Sequence, residues 1–393
     1  MRSRVRPAVP KIPRTLVFAV ALAVASGASL ATPLAAQQEV PRRLDFSTDT
    51  ALPPQQPEST RGLRNAFVRD QTVLGLVVYG PAFAVMVGGD GVTGTAGYLV
   101  MAGGSFFASA ELARHVRITE GRLILSTAMA WRTAGSALLI ASEAGGERRP
   151  SAAATLLGGF GGTAAGLYLA RNLGAGEAAA TVFGHDLAYV SAIALSFVAE
   201  PDLTDTGVMD ERFAAAWTAS GLLGYAAGLS YARRVPYNLT VGDVQTMWLG
   251  AGIGALGAAT FIANSDPSNQ ATALTLLGGA LAGTVAADRF LVRRFDHTRG
   301  EAAFTALGAL AGSVMGVGVG VLVAGEARRD GSLTVGMATL GAVGGVVMAE
   351  RYLGTARDAG RAARLGRLSF DPMGAVAAAT RMPGRHSLLR YTF

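Results

Sequence analysis

The sequence predicts an all-α protein, a membrane-type helical bundle built from repeated αα-hairpins. Three observations carry this. The apolar segments are about twenty residues long, the chain repeats with a period near sixty, and small residues recur every fourth position within the segments. The apolar runs are too long for strands and do not alternate with polar residues. Alanine, which favours helix, is abundant in them.

The composition agrees. Half of the 393 residues are hydrophobic and only 16% are charged. Mean hydropathy is +0.36, above that of an ordinary water-exposed domain. There is no cysteine, which excludes disulfides, thiolate metal sites and cysteine nucleophiles. Lys11 is the single lysine, so Walker-type phosphate binding and Schiff-base chemistry have no residue to use beyond the N-terminus.

Residues 1–36 read as a secretory signal peptide. Arg2, Arg4, Arg6, Lys11 and Arg14 precede the apolar run from Thr15, and small residues stand at Ala35 and Ala36. Those five cations account for most of the formal +7, so no basic nucleic-acid footprint remains downstream. Residues 37–65, with "LPPQQPESTRG", read as a flexible polar arm. The hairpin domain is expected over 66–353, and a basic C-terminal tail with a possible β-hairpin over 354–393.

The repeat emerges when arginines are aligned. "GSFFASAELAR", "GGTAAGLYLAR", "GYAAGLSYARR", "GTVAADRFLVRR" and "GGVVMAERYLG" carry Arg114, Arg171, Arg233, Arg289 and Arg351, spaced by 57, 62, 56 and 62 residues. The unit reads as helix, Arg-bearing loop, helix. "TVGD" at Thr240–Asp243 and "TRGE" at Thr298–Glu301 fit the capping box, with Thr as N-cap and an acid three residues on.

The small residues form ladders at a spacing of four: Gly158, Gly162 and Gly166; Gly224 and Gly228; Gly250 and Gly254; Gly279 and Gly283; Gly308, Gly312, Gly316 and Gly320; Gly341 and Gly345. That spacing places each set on one helix face. Glycine costs about 1 kcal/mol in a helix interior relative to alanine. Close backbone approach of a second helix offsets that cost, as in transmembrane packing. Ala302–Gly325 holds 24 residues without a charge, enough to cross a bilayer.

No catalytic, cofactor or metal site is expected. "GIGALG" at Gly252–Gly257 matches a dinucleotide fingerprint in letters, but it lies inside an apolar helix and lacks the preceding strand. Arg132, His185 and Asp186 are ionisable residues inside apolar segments and form a possible polar site. The acidic stretch "EPDLTDTGVMDER" reads as a solvated loop.

The expected function is non-enzymatic: a structural or scaffolding protein of a bacterial envelope membrane. Membrane lipid and a second copy or another envelope protein are the expected partners, and nucleic acid is not. A channel or transporter path through Arg132, His185 and Asp186 is one alternative. An outer-membrane β-barrel, with the Gly/Ala segments as strand pairs, is another. The C-terminal "HSLLRYTF" resembles the terminal-strand signal of bacterial outer-membrane proteins over about eight residues. That ending tilts the expected location toward the outer membrane over the inner.

Overall fold

The structure is a computed structural model and describes residues 60–88, 91–200, 211–324, 331–358, 368–370 and 389–391. The signal peptide, nearly all of the polar arm, most of the acidic stretch at 200–212 and most of the tail lie outside the described residues.

Ten helices make up the described chain. They are α1 (Thr60–Leu74, continued through a π turn at Gly75–Tyr79 into Gly80–Val87), α2 (Gly91–His115), α3 (Glu120–Glu143), α4 (Arg148–Leu169), α5 (Ala175–Ala199), α6 (Glu211–Arg234), α7 (Val241–Ile262), α8 (Asn269–Ala287, ending in a π turn at Asp288–Val292), α9 (Arg299–Ala324) and α10 (Gly331–Asp358). Seven helical stretches, in α1, α3, α4, α5, α8, α9 and α10, are long and apolar enough to cross a membrane. Two short strands, β1 (Leu368–Phe370) and β2 (Leu389–Tyr391), pair antiparallel with Leu368 opposite Tyr391. A barrel made of strand pairs finds no support, because the Gly/Ala segments that would supply the strands are helices.

Two boundaries differ from expectation. Helix α1 begins at Thr60, inside the segment read as arm, because Leu63, Ala66, Phe67 and Leu74 bury one helical face. Helix α10 runs past 353 to Asp358.

The hairpins also close differently from the sequence reading. Each tight pair is joined across the loop opposite the arginine marker: α3 with α4, α5 with α6, α7 with α8 and α9 with α10. The marker loops link one hairpin to the next. The small-residue faces decide this. A Cβ built on Gly158 would lie 2.5 Å from the Thr133 carbonyl oxygen, and one on Gly162 or Gly166 would overlap the α3 backbone at Met129 or Ser126. Gly224 and Gly228 meet Gly184 and Ala180; Gly250 and Gly254 meet Gly283 and Gly279. Gly308, Gly312, Gly316 and Gly320 meet Gly345, Gly341, Met337 and Thr334 in turn. Glycines off these faces, such as Gly252, Gly278 and Gly318, have open space where a side chain would stand.

Successive hairpins stack through their first helices. Helix α5 packs on α3, α7 on α5 and α9 on α7, and each second helix leans on the first helix of the hairpin before it. The contact is closest at the helix starts. Gly121, Gly176 and Gly242 each occupy the second position of a first helix, and a Cβ on any of them would strike the carbonyl of the residue leading into the next first helix: Leu173, Leu239 and His297. The starts share a pattern, "TEGR", "GAGE", "TVGD" and "TRGE". In the last three the acid returns to its N-cap: Glu177 Oε2 accepts from Gly174 N–H at 2.9 Å, Asp243 Oδ2 from Thr240 N–H at 2.9 Å and Glu301 Oε2 from Thr298 N–H at 2.8 Å. Arg299 of α9 also pairs with Glu120 of α3 at this end.

Candidate functional site

Each interface between successive tight pairs carries one carboxylate-centred knot, part-buried in the first two and buried in the third. The first joins α3 to α5 and contains all three residues of the polar site read from the sequence. Both oxygens of Asp186 accept from Arg132, from Nε and Nη2. Arg132 Nη1 donates to its own helix at Ala128 O, at 3.1 Å. His185 Nδ1 lies 2.9 Å from Asp186 Oδ1. The imidazole is buried between Tyr225, at 4.5 Å between ring centres, and Tyr189, at 5.9 Å and nearly parallel. Gly221 leaves the room it needs, since a Cβ there would come within 2.6 Å of His185 Nε2. The bidentate geometry satisfies the guanidinium and the carboxylate with each other.

The second knot joins α6 to α8. Tyr231 and Tyr237 hydroxyls both donate to Asp288 Oδ1, at 2.7 and 2.6 Å, while Arg293 Nε donates to Oδ2 at 2.9 Å. Burial, with the Asp288 carboxylate beside it, pushes the Tyr237 hydroxyl well above the ordinary tyrosine range.

The third joins α7, α9 and α10 around His297, in the loop before α9. Its Nδ1 lies 3.2 Å from Asp243 Oδ1 and its Nε2 3.0 Å from Glu350 Oε1. Thr305 donates to the same Glu350 oxygen at 2.8 Å, and the His297 backbone N–H donates to Asp243 Oδ1 at 2.9 Å. His297, Asp243 and Thr305 are fully buried. Burial alone would lower the imidazole, but the two carboxylates outweigh it and raise the group to about 9. Protonated, the ring has two N–H groups and gives one to each acid, so it acts as a cationic bridge and not as a metal ligand. Among the described residues no group of three or more metal-binding side chains is placed to hold an ion.

Compared with family models, curated proteins and solved structures, the chain matches none. What it does must be read from its own geometry. The three knots leave little open valence for a reactant, because each carboxylate is engaged by cations or hydroxyls of the same chain.

The first knot was visible in sequence as charges in apolar runs. The other two were not, because Asp288 and Glu350 sit beside marker arginines, near helix ends where a charge is ordinary. A signal was present: in the last two copies an acid stands immediately before the marker, Asp288 before Arg289 and Glu350 before Arg351, 62 residues apart.

Proposed function

We propose that the chain is a non-enzymatic, structural protein of a bacterial envelope membrane, in which glycine-faced helix pairs form the units and buried polar knots join them. One observation carries the reading: large apolar side chains cover the outward faces of the long helices, with Leu322 82% and Met348 74% exposed among many of their kind on α9 and α10. In water a continuous surface of this type drives association; in hydrocarbon it is the natural exterior. The knots fit the same setting. Lipid gives apolar helices no hydrophobic reason to associate with each other, so close small-residue contact and interhelical hydrogen bonds must do so. The partners are membrane lipid and, through the exposed faces, a second copy or another envelope protein.

A transport path through Arg132, His185 and Asp186 is the weaker reading, since Arg132 and Asp186 already neutralise each other. The deciding experiment is alkaline carbonate extraction of cells expressing the full chain, followed by density separation of the two envelope membranes. Retention in the membrane pellet supports the reading. Quantitative release overturns it.

A further inference from the structure

A cavity of about 520 Å³ lies beside α1, between α2 and α4, a volume in the range of small-molecule sites. Phe67, Gln71 and Tyr79 of α1 form its floor and are almost fully buried. Leu112 of α2 and Phe160 of α4 give it apolar walls, and Arg122, in the first turn of α3, also borders it.

Besides the Tyr79 hydroxyl, two donors at this cavity lack acceptors. Gln71 Oε1 lies 3.3 Å from the Thr163 hydroxyl, which also donates to Gly159 O at 3.1 Å, and its Nε2 is buried with no partner. Arg122 Nη1 donates to Arg117 O at 2.6 Å, and its Nε is likewise buried without one. Buried donors left unpaired are costly and uncommon. Arg122 also occupies the position that Glu177, Asp243 and Glu301 fill in the other first helices, where the acid closes on its own N-cap. The start of α3 therefore presents a guanidinium where the other first helices carry an acid, while Glu120 of the same turn is taken up by Arg299.

The two donors sit at different depths. Gly162 lies against Met129, so Thr163 and the Gln71 it holds are level with a point seven residues beyond Arg122. At 1.5 Å per residue this is roughly 10 Å further in. A matching ligand has an anion at one end, an acceptor oxygen part-way along and a hydrocarbon remainder.

We propose that this cavity binds one anionic monoacyl phospholipid. Its phosphate sits on Arg122, its glyceryl link passes Phe67 and Leu112, its ester carbonyl oxygen accepts from Gln71, and its chain runs on past Phe160 and Tyr79. A simple fatty acid would answer Arg122 but leave the Gln71 amide unpaired; a long-chain alcohol would answer neither charge nor depth.

Native mass spectrometry of the full chain in non-ionic detergent, titrated with 1-oleoyl-lysophosphatidylglycerol, tests this. A single saturable adduct is expected, bound at least about tenfold more tightly than oleyl alcohol, the worth of one charge-assisted hydrogen bond. Arg122→Gln and Gln71→Leu should each weaken it by a similar factor, and Ala164→Phe, which fills the cleft and leaves both donors in place, should abolish it. No adduct, an adduct indifferent to all three substitutions, or equal binding of the alcohol would overturn the proposal. The comparison of ligands on the unaltered chain stands even if a variant does not fold. Carbonate extraction reports on the membrane reading independently, so the two can fail separately.

Discussion

His297 and Glu350 meet in a buried contact, imidazole Nε2 to carboxylate Oε1 at 3.0 Å, although 53 residues separate them in sequence. With Asp243 on the other ring nitrogen, the histidine ties the third hairpin to the fourth.

This contact makes stability depend on pH in a defined direction. The imidazole titrates near 6.5 when unfolded and near 9 in the fold. Its contribution is complete below pH 6.5 and is lost as pH rises through 9, because a raised folded value favours the protonated native state. The melting temperature in detergent should fall between pH 6.5 and 9, and His297→Gln should flatten that slope. An unchanged slope in the variant would assign the pH dependence to other groups.

Arg132 and Asp186 should behave as one unit. Removing either partner leaves a buried charge uncompensated, a loss of about 3–5 kcal/mol. Arg132→Met with Asp186→Asn should recover much of it. A double-mutant cycle read by thermal unfolding checks this, and strict additivity would show that the pair carries no coupling.

Helix contact predicts a contrast within α9. Gly312→Leu with Gly316→Leu places side chains into the backbone of α10, whereas Val317→Leu with Val321→Leu adds a methylene on the exposed side. The glycine pair should lose far more melting temperature in detergent, or fail to fold. Equal loss would mean the faces do not approach as described.

Single alanines give a finer test. Gly252 has open space at Cβ, so Gly252→Ala should stabilise α7 by about 0.5–1 kcal/mol through helix propensity alone. Gly176→Ala, in the first turn of α5, would strike the Leu239 carbonyl and should destabilise. Opposite signs are expected in denaturant titrations of the two variants.

The helical class and the long apolar spans were legible because period and length survive any change of partner. The closing loop of each hairpin was not. A repeat states its length and leaves open where one unit ends, and short loops such as Ala144–Glu147 and Leu173–Gly174 both permit tight pairs. Only the opposition of Gly312 with Gly341 and its equivalents sets the cut. The knots were harder still. Asp243 looked like a capping residue, which it is, but its second oxygen serves His297 more than fifty residues away, and no local pattern encodes that use.

The spacing of Arg132 and Asp186 has a consequence during synthesis. The counter-ion lies 54 residues downstream of the arginine. At about 5–20 residues per second, a ribosome needs roughly 3–11 s to deliver it. For that interval Arg132 has no Asp186 to pair with, so the first hairpin is made before the charge that neutralises it, and the pair can close only once α5 has been delivered.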